Sequence, residues 1–208
     1  ILDEAAREAV YLQVLEGHQP IRYSPAVGTR RPLYCTAMGR ALLAAQDEDW
    51  VRRYLVGAKF VRFNARTVTG RAKLSRVLAQ VAKQRLAVTV AEHTEGVGAV
   101  ASPVFDRQGH ARYALGLAVP SGRLLTDLQR LSKLVRVAAE DASWAHGARA
   151  PAPRVPKMHL GHTGRAHPRP QIPQQRCRRP CRRGVREHRN NLLGPLGVVT
   201  GGSFRILV

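Results

Sequence analysis

Hydrophobic and polar positions change their period several times along the chain, and each change marks an element. After a short helical piece at residues 2–8, Val10, Leu12 and Val14 alternate with Tyr11, Gln13 and Leu15 in Ala9–Glu16, the period-2 pattern of a strand. Gly17 and His18 turn the chain, and Ile21–Ala26 can return as its hairpin partner. From Pro32 the spacing becomes helical. Leu33, Ala37, Ala41 and Ala45, with Met38 and Leu42, recur every three or four residues, so PLYCTAMGRALLAAQ predicts a helix of small residues that can lie close to its neighbours.

Asp47 is a good N-cap for a second helix. Glu48 and Asp49 occupy its first turn, where the helix dipole favours anions, and Trp50, Val51, Tyr54 and Leu55 share one face. A third helix is expected from about Arg71 to Gln84, with the stripe Leu74, Val77, Leu78 and Val81 bordered by Arg71, Lys73, Arg76 and Lys83. Three strand-like runs follow near Leu86–Glu92, Ala99–Phe105 and Ala111–Val119. The last two are joined by Asp106, Arg107, Gln108 and Gly109, a hairpin loop with Gly where positive φ is expected. A final amphipathic helix would start after Thr126 as N-cap, turn Leu128, Leu131, Leu134, Val135 and Ala138 inward, and stop at Gly147. Helix, two strands, three helices, three strands and a helix, in that order, predict an α+β fold around an antiparallel sheet rather than a doubly wound parallel one.

Composition divides the 208 residues in two. Residues 1–148 carry 21 Lys and Arg against 13 Asp and Glu; residues 149–208 carry 13 against 1. The total of +20 resembles a nucleic-acid footprint, because excess Lys and Arg attract phosphate through counterion release. Most of it, however, sits on a tail with eight of the thirteen prolines and few apolar residues between Arg149 and Asn190, too few to bury a core against the entropy of ordering the chain. The tail is expected to be disordered. Its Arg, Pro, Ala, Gly and His bias also fits a GC-rich gene read out of frame from about Arg149.

No run approaches the roughly 18–20 apolar residues needed to cross a bilayer, and Ile1, Leu2, Asp3 and Glu4 do not begin a signal peptide. Three cysteines, one of them in the compact part, offer no disulfide framework, which fits a reducing, cytoplasmic setting. A start at Ile1 suggests that sequence lies upstream.

Candidate chemistry is sparse. Cys35, near the start of the small-residue helix, could have a lowered thiol pKa, but a buried Cys is more often an inert small hydrophobe. Glu92, His93 and Glu95 could serve as acid, base or metal ligands, yet such a group at a strand end is usually a solvated loop, and a buried carboxylate that fixes a loop or ligand is the better reading. In the tail, His159, His162, His167, Cys177, Cys181 and His188 match no compact zinc finger. The run Arg176–Arg183 would bind nucleic acid only electrostatically. Neither a metal nor a cofactor is expected.

The segment VGTRRPLYCTAMGRALLAAQDEDWVRRYL resembles the central motif of the effector-binding domain of IclR-family transcriptional regulators. RTVTGRAKLSRVLAQVAKQRLAV is similar to that family's threonine-led helix. AEHTEGVGAVASPVFDRQGHARYALGLAVPSGRL resembles its Glu, Gly, Pro-Val and hairpin signature. The likeness covers about Ala9–Gly147, leaving residues 1–8 as the remnant of a linker helix, 9–148 as the effector-binding domain and 149–208 as the Arg/Pro-rich tail.

The resemblance implies a GAF-like sensor domain, not an enzyme, that self-associates as dimers or tetramers and responds to a small organic acid. DNA would be read only by a winged helix-turn-helix upstream of Ile1. By position the effector site would include Thr36, Ala37 and Met38 on the helix, Thr89 on the next strand, Val97 and Ala99 after the glycine loop, and Gly116 and Ala118 on the hairpin strand. Relatives that bind small carboxylates tend to have an acid at the position of Thr89 and serines at those of Gly116 and Ala118. Their replacement here implies a roomier, more apolar site suited to an aromatic acid. Arg85 stands where the family usually ends the long helix with Gly; if left-handed, it costs about 1 kcal/mol. The alternatives are a GAF-like enzyme using Cys35 or Glu92, and a basic nucleic-acid-binding protein acting through its tail.

Overall fold

The computed structural model describes residues 1–148; the tail, with its six candidate zinc ligands and Arg run, lies outside the described residues. The element order is β1 (Leu2–Asp3), β2 (Glu8–Val10), β3 (Arg30–Pro32), α1 (Ala37–Ala44), α2 (Glu48–Gly57), α3 (Arg71–Gln84), β4 (Ala87–Val90), β5 (Val97–Val104), β6 (Tyr113–Pro120) and α4 (Ser121–Ala145). Both sheets, β1-β2-β3 and β4-β5-β6, are antiparallel throughout. A backbone hydrogen bond from Leu2 N to Arg112 O (2.8 Å) joins them.

The second sheet is built on an alternation of size. Its rows Ala87–Ala101–Gly116 and Thr89–Ala99–Ala118 run across three strands on one face. Val88, Val90, Val100, Leu115, Leu117 and Val119 point to the other, where they pack on Leu124, Leu128, Leu131 and Val135 of α4. Because the strand period is 2, a small-residue face and a large-residue face follow directly from the sequence. The small face receives α1, whose Ala37, Ala41, Leu42, Leu43 and Ala44 are buried, and α3 closes over α1 with Leu74, Leu78 and Val81. Gly39 is what lets α1 come so close to the chain before it. A Cβ there would lie 2.4 Å from Leu33 Cα.

Helices α2 and α3 lie where the sequence places them, with Asp47 capping Trp50 N at 2.7 Å. The β5–β6 hairpin has its positive φ at Gly109 (+80°). Arg85 does end α3 in the left-handed region (φ 51°, ψ 32°), where its carbonyl accepts from Ser102 Oγ at 2.7 Å.

Five expectations need correction. Residues 2–8 are not helical: they form the hairpin β1–β2, turned by Ala6 N donating to Asp3 Oδ1 (3.0 Å). The strand expected over Ala9–Glu16 stops at Val10 and pairs with Arg30–Pro32, not with Ile21–Ala26, and residues 12–27 are a loop closed by Glu16 accepting from Arg22 and Ser24. Helix α1 starts at Ala37 rather than near Pro32, because the Thr36 hydroxyl caps Gly39 N (3.1 Å); Cys35 therefore precedes the helix. Helix α4 starts at Ser121, and Thr126 donates to Gly122 O (3.1 Å) instead of capping, with a kink at Asp127. The early start depends on Gly98, where a Cβ would meet Leu124 Cδ2 at 2.6 Å. On α4, Leu131, Val135, Ala139 and Ala142 form the buried stripe, whereas Leu134, expected inside, is 55% exposed.

Candidate functional site

A pocket of about 570 Å3, counting its open mouth, lies where the N-terminus of α1 meets the small-residue face of the second sheet. Thr36, Ala37, Met38, Thr89, Val97, Ala99, Gly116 and Ala118 all line it. Its wall also includes Tyr11, Tyr23 and Arg31 from the N-terminal sheet and its loop, and Glu92, His93 and Thr94 beyond β4. Local structure explains the cavity: alanine, threonine and glycine on β4–β6 leave room beneath the helix, and Thr36 consumes one orphan N–H of the first turn while those of Ala37 and Met38 have no intrahelical partner.

The room at Gly116 is less than the sequence suggests. A Cβ there would approach Met38 Sδ to 2.7 Å, so the methionine occupies the space that a serine would fill.

Two candidate catalytic groups are here, in other roles. Cys35 is fully buried, and burial pushes its thiol up to about 12, outweighing the nearby Arg40. A thiol so rarely ionised is no nucleophile. Glu92 accepts from Arg40 Nη1 and Nη2 at 2.7 and 2.5 Å, and Arg40, 2% exposed, donates its Nε to Tyr34 O at 2.7 Å. The carboxylate thus fixes the loop after β4. Its carbonyl accepts from Thr67 Oγ1 (2.7 Å) and Asn64 Nδ2 (3.3 Å), which ties the same loop to the segment before α3. His93 stacks obliquely on Phe63 and has its pKa lowered, first by burial and then by Arg31. Among the described residues no cluster of three or more His, Cys, Asp or Glu could hold a metal ion, and no helix is long and apolar enough to cross a membrane.

Arg31, Tyr11 and Tyr23 escape a sequence reading because Arg31 and Tyr11 reach the pocket through the β2–β3 pairing and Tyr23 through the loop between those strands. The available signal was Arg31 standing at the entry to a small-residue helix.

Residues 3–144 match the family model for the C-terminal domain of the bacterial transcriptional regulator IclR. The chain belongs to the IclR family. Its effector-binding domain is 35% identical over 135 residues to the transcriptional regulator KdgR of Escherichia coli, covering 64% of this chain and 51% of that protein. The crystal structure of the KdgR C-terminal domain superposes with a TM-score of 0.56 at 33% identity, covering 70% of this chain and 92% of that one. Thermotoga maritima IclR matches at 28% identity with a TM-score of 0.62, over 68% of this chain and 57% of that one. The inducer-binding domain of Acinetobacter PobR, solved as a double mutant with 3-hydroxybenzoic acid, shares the fold at 24% identity and a TM-score of 0.53, over 56% and 70% of the two chains. The chain spans about half the length of the curated relatives it matches first. An IclR effector-binding domain is part of a transcriptional regulator and is not an enzyme, which removes the catalytic readings of Cys35 and Glu92.

Proposed function

We propose that this IclR-type domain senses a small organic acid, with an aromatic acid as the better fit, and that occupancy of the pocket shifts a conformational or oligomeric equilibrium that controls DNA binding by a helix-turn-helix elsewhere in the parent regulator. The observation that carries the reading is the cavity between the α1 N-terminus and the Thr89–Ala99–Ala118 row, whose exposed lining is mostly apolar with polar side chains such as Arg31, Thr36 and Thr89 set into it, the usual makeup of a ligand site. The aromatic preference is supported by Ala118 on β6 and by Tyr11 and Tyr23 in the wall. The PobR domain, which holds 3-hydroxybenzoic acid in its structure, suggests the first compound to try.

Titration calorimetry of the 208-residue chain with 3-hydroxybenzoate, benzoate, pyruvate and hexanoate tests the proposal. Binding of the aromatic acids, abolished by Ala99→Leu in the pocket floor, is the expected result. Aromatic binding that survives Ala99→Leu, or no binding by any of the four, refutes it.

A further inference from the structure

The charges in the pocket wall do not cancel. Glu92 is its acid, and both carboxylate oxygens are committed to Arg40. The lowered pKa of His93 leaves that ring neutral at pH 7. Arg31 has no such compensation. Its Nη1 donates to Arg30 O at 3.1 Å, its Nη2 lies 3.5 Å from the Tyr23 hydroxyl, and its Nε is buried with no hydrogen-bond partner. Among the described residues no carboxylate pairs with it; the acids near β3, Asp3 and Glu8, take Arg30 instead. A guanidinium that is partly buried, carries an orphaned N–H and lines a cavity is short of an anion, because an unsatisfied charged donor away from water costs free energy that a ligand can return.

We propose that Arg31 recognises the charge of the effector, receiving one carboxylate of a flat monoanion whose ring lies against Tyr11 and Tyr23. The inference rests on the reading of this pocket as the effector site. Tyr11, Tyr23 and Arg31 are close enough for each of the other two to perturb the titration of Tyr11, so ring and charge recognition come from one corner of the cavity. The guanidinium fork matches one carboxylate in two parallel hydrogen bonds. Among the described residues Arg31 is the one Lys or Arg lining the pocket, so a second carboxylate would lose its water without gaining a cationic partner, and a monoanion is favoured over a dicarboxylate. Since Arg31 pairs with Ala9, and Ala9 with Leu2, the residue that meets the ligand belongs to the same sheet as the first residues of the chain. Occupancy therefore bears directly on the N-terminal strands.

The test is calorimetry on the 208-residue chain with matched probes: benzoate against benzamide, 3-hydroxybenzoate against 3-hydroxybenzamide, and the dianion phthalate. Wild-type protein should bind each acid at least tenfold more tightly than its amide, with phthalate weaker than benzoate. In Arg31→Gln the acids should lose tenfold or more while the amides change little, so the acid-to-amide ratio approaches one. Arg31→Lys, which keeps the charge without the fork, should fall between. The ratio is an internal control, because a misfolded variant loses both members of a pair; the Lys variant and the wild-type ratio then decide. Amides that equal acids in the wild type, an Arg31→Gln protein that keeps the preference, or a wild type that binds none of the acids overturns the proposal. If acids bind, Ala99→Leu abolishes them and Arg31→Gln leaves the ratio intact, the pocket reading stands and only Arg31's role fails.

Discussion

Truncating Glu92 should be among the most damaging single changes outside the hydrophobic core. Arg40 is 2% exposed and the Glu92 side chain 12% exposed, so neither has water to fall back on. In Glu92→Ala the Arg40 guanidinium keeps Tyr34 O but loses both charged acceptors, leaving a buried cation uncompensated. Breaking one side of such a pair costs about 3–5 kcal/mol. At roughly 2–4 °C per kcal/mol for a chain of this size, the melting temperature should fall by about 6–20 °C. Replacing both partners by apolar residues, as in Arg40→Met with Glu92→Leu, should recover most of the loss, because the desolvation penalty goes with the charges and only the Tyr34 carbonyl, worth about 1 kcal/mol, is orphaned. The loop itself stays anchored through the Glu92 carbonyl. Thermal unfolding followed by circular dichroism for the two single variants and the double variant, at low and high salt, measures the coupling. A fall under about 3 °C for Glu92→Ala, or a wild-type stability that salt erodes as strongly as it does a surface pair's, would refute the account.

Three other outcomes follow from the same geometry. With its thiol pushed up to about 12, Cys35 should react with iodoacetamide at pH 8 roughly a thousandfold more slowly in the folded chain than an ordinary thiol of pKa about 8.5, read by mass mapping of the alkylated cysteine. His93 should titrate below the usual imidazole value in the free protein and move back up when a carboxylate binds beside Arg31, as followed by NMR. Because the unfolded chain then holds more protons in that window, stability should decline as pH falls below about 6.5 and level off below the folded pKa. Gly39→Ala should destabilise by about 3 kcal/mol in urea unfolding, since its Cβ would strike the Leu33 backbone; Gly116→Ala should cost less, about 1 kcal/mol, because the Met38 thioether can swing away while Val100 O and Ala101 Cβ, 3.1 and 3.2 Å off, need give only a few tenths of an ångström, and it should shrink the pocket.

What was legible along the chain is what local physics decides. Asp47 before an amphipathic run, the four-residue stripe of Arg71–Gln84, and Asp106–Gly109 between two alternating runs each carry their own boundary signal. The small-residue stripe from Leu33 to Ala44 also announced a close helix-to-sheet approach, although its first turn had to yield to the Thr36 cap. The eight pocket residues were picked out only through the family resemblance, although the period-2 alternation of β4–β6 puts Thr89, Ala99, Gly116 and Ala118 on one small-residue face.

Tertiary structure decided the rest. Strands of two and three residues, Leu2–Asp3 and Glu8–Val10, are too short for alternation to be read and exist because Arg30–Pro32 and the Arg112 carbonyl meet them. Leu134 turned outward because the stripe that meets the sheet runs through Leu131, Val135, Ala139 and Ala142, which leaves Leu134 on the flank of α4. The partner that makes Glu92 structural lies 52 residues away, and the one that makes Arg31 a pocket residue is a strand pairing. Sequence settles whatever is governed by neighbours within a turn or a hairpin. The cavity, its charge balance and the burial of Arg40 depend on contacts whose loop-closure cost is met only when the whole core forms, so only the fold could place them.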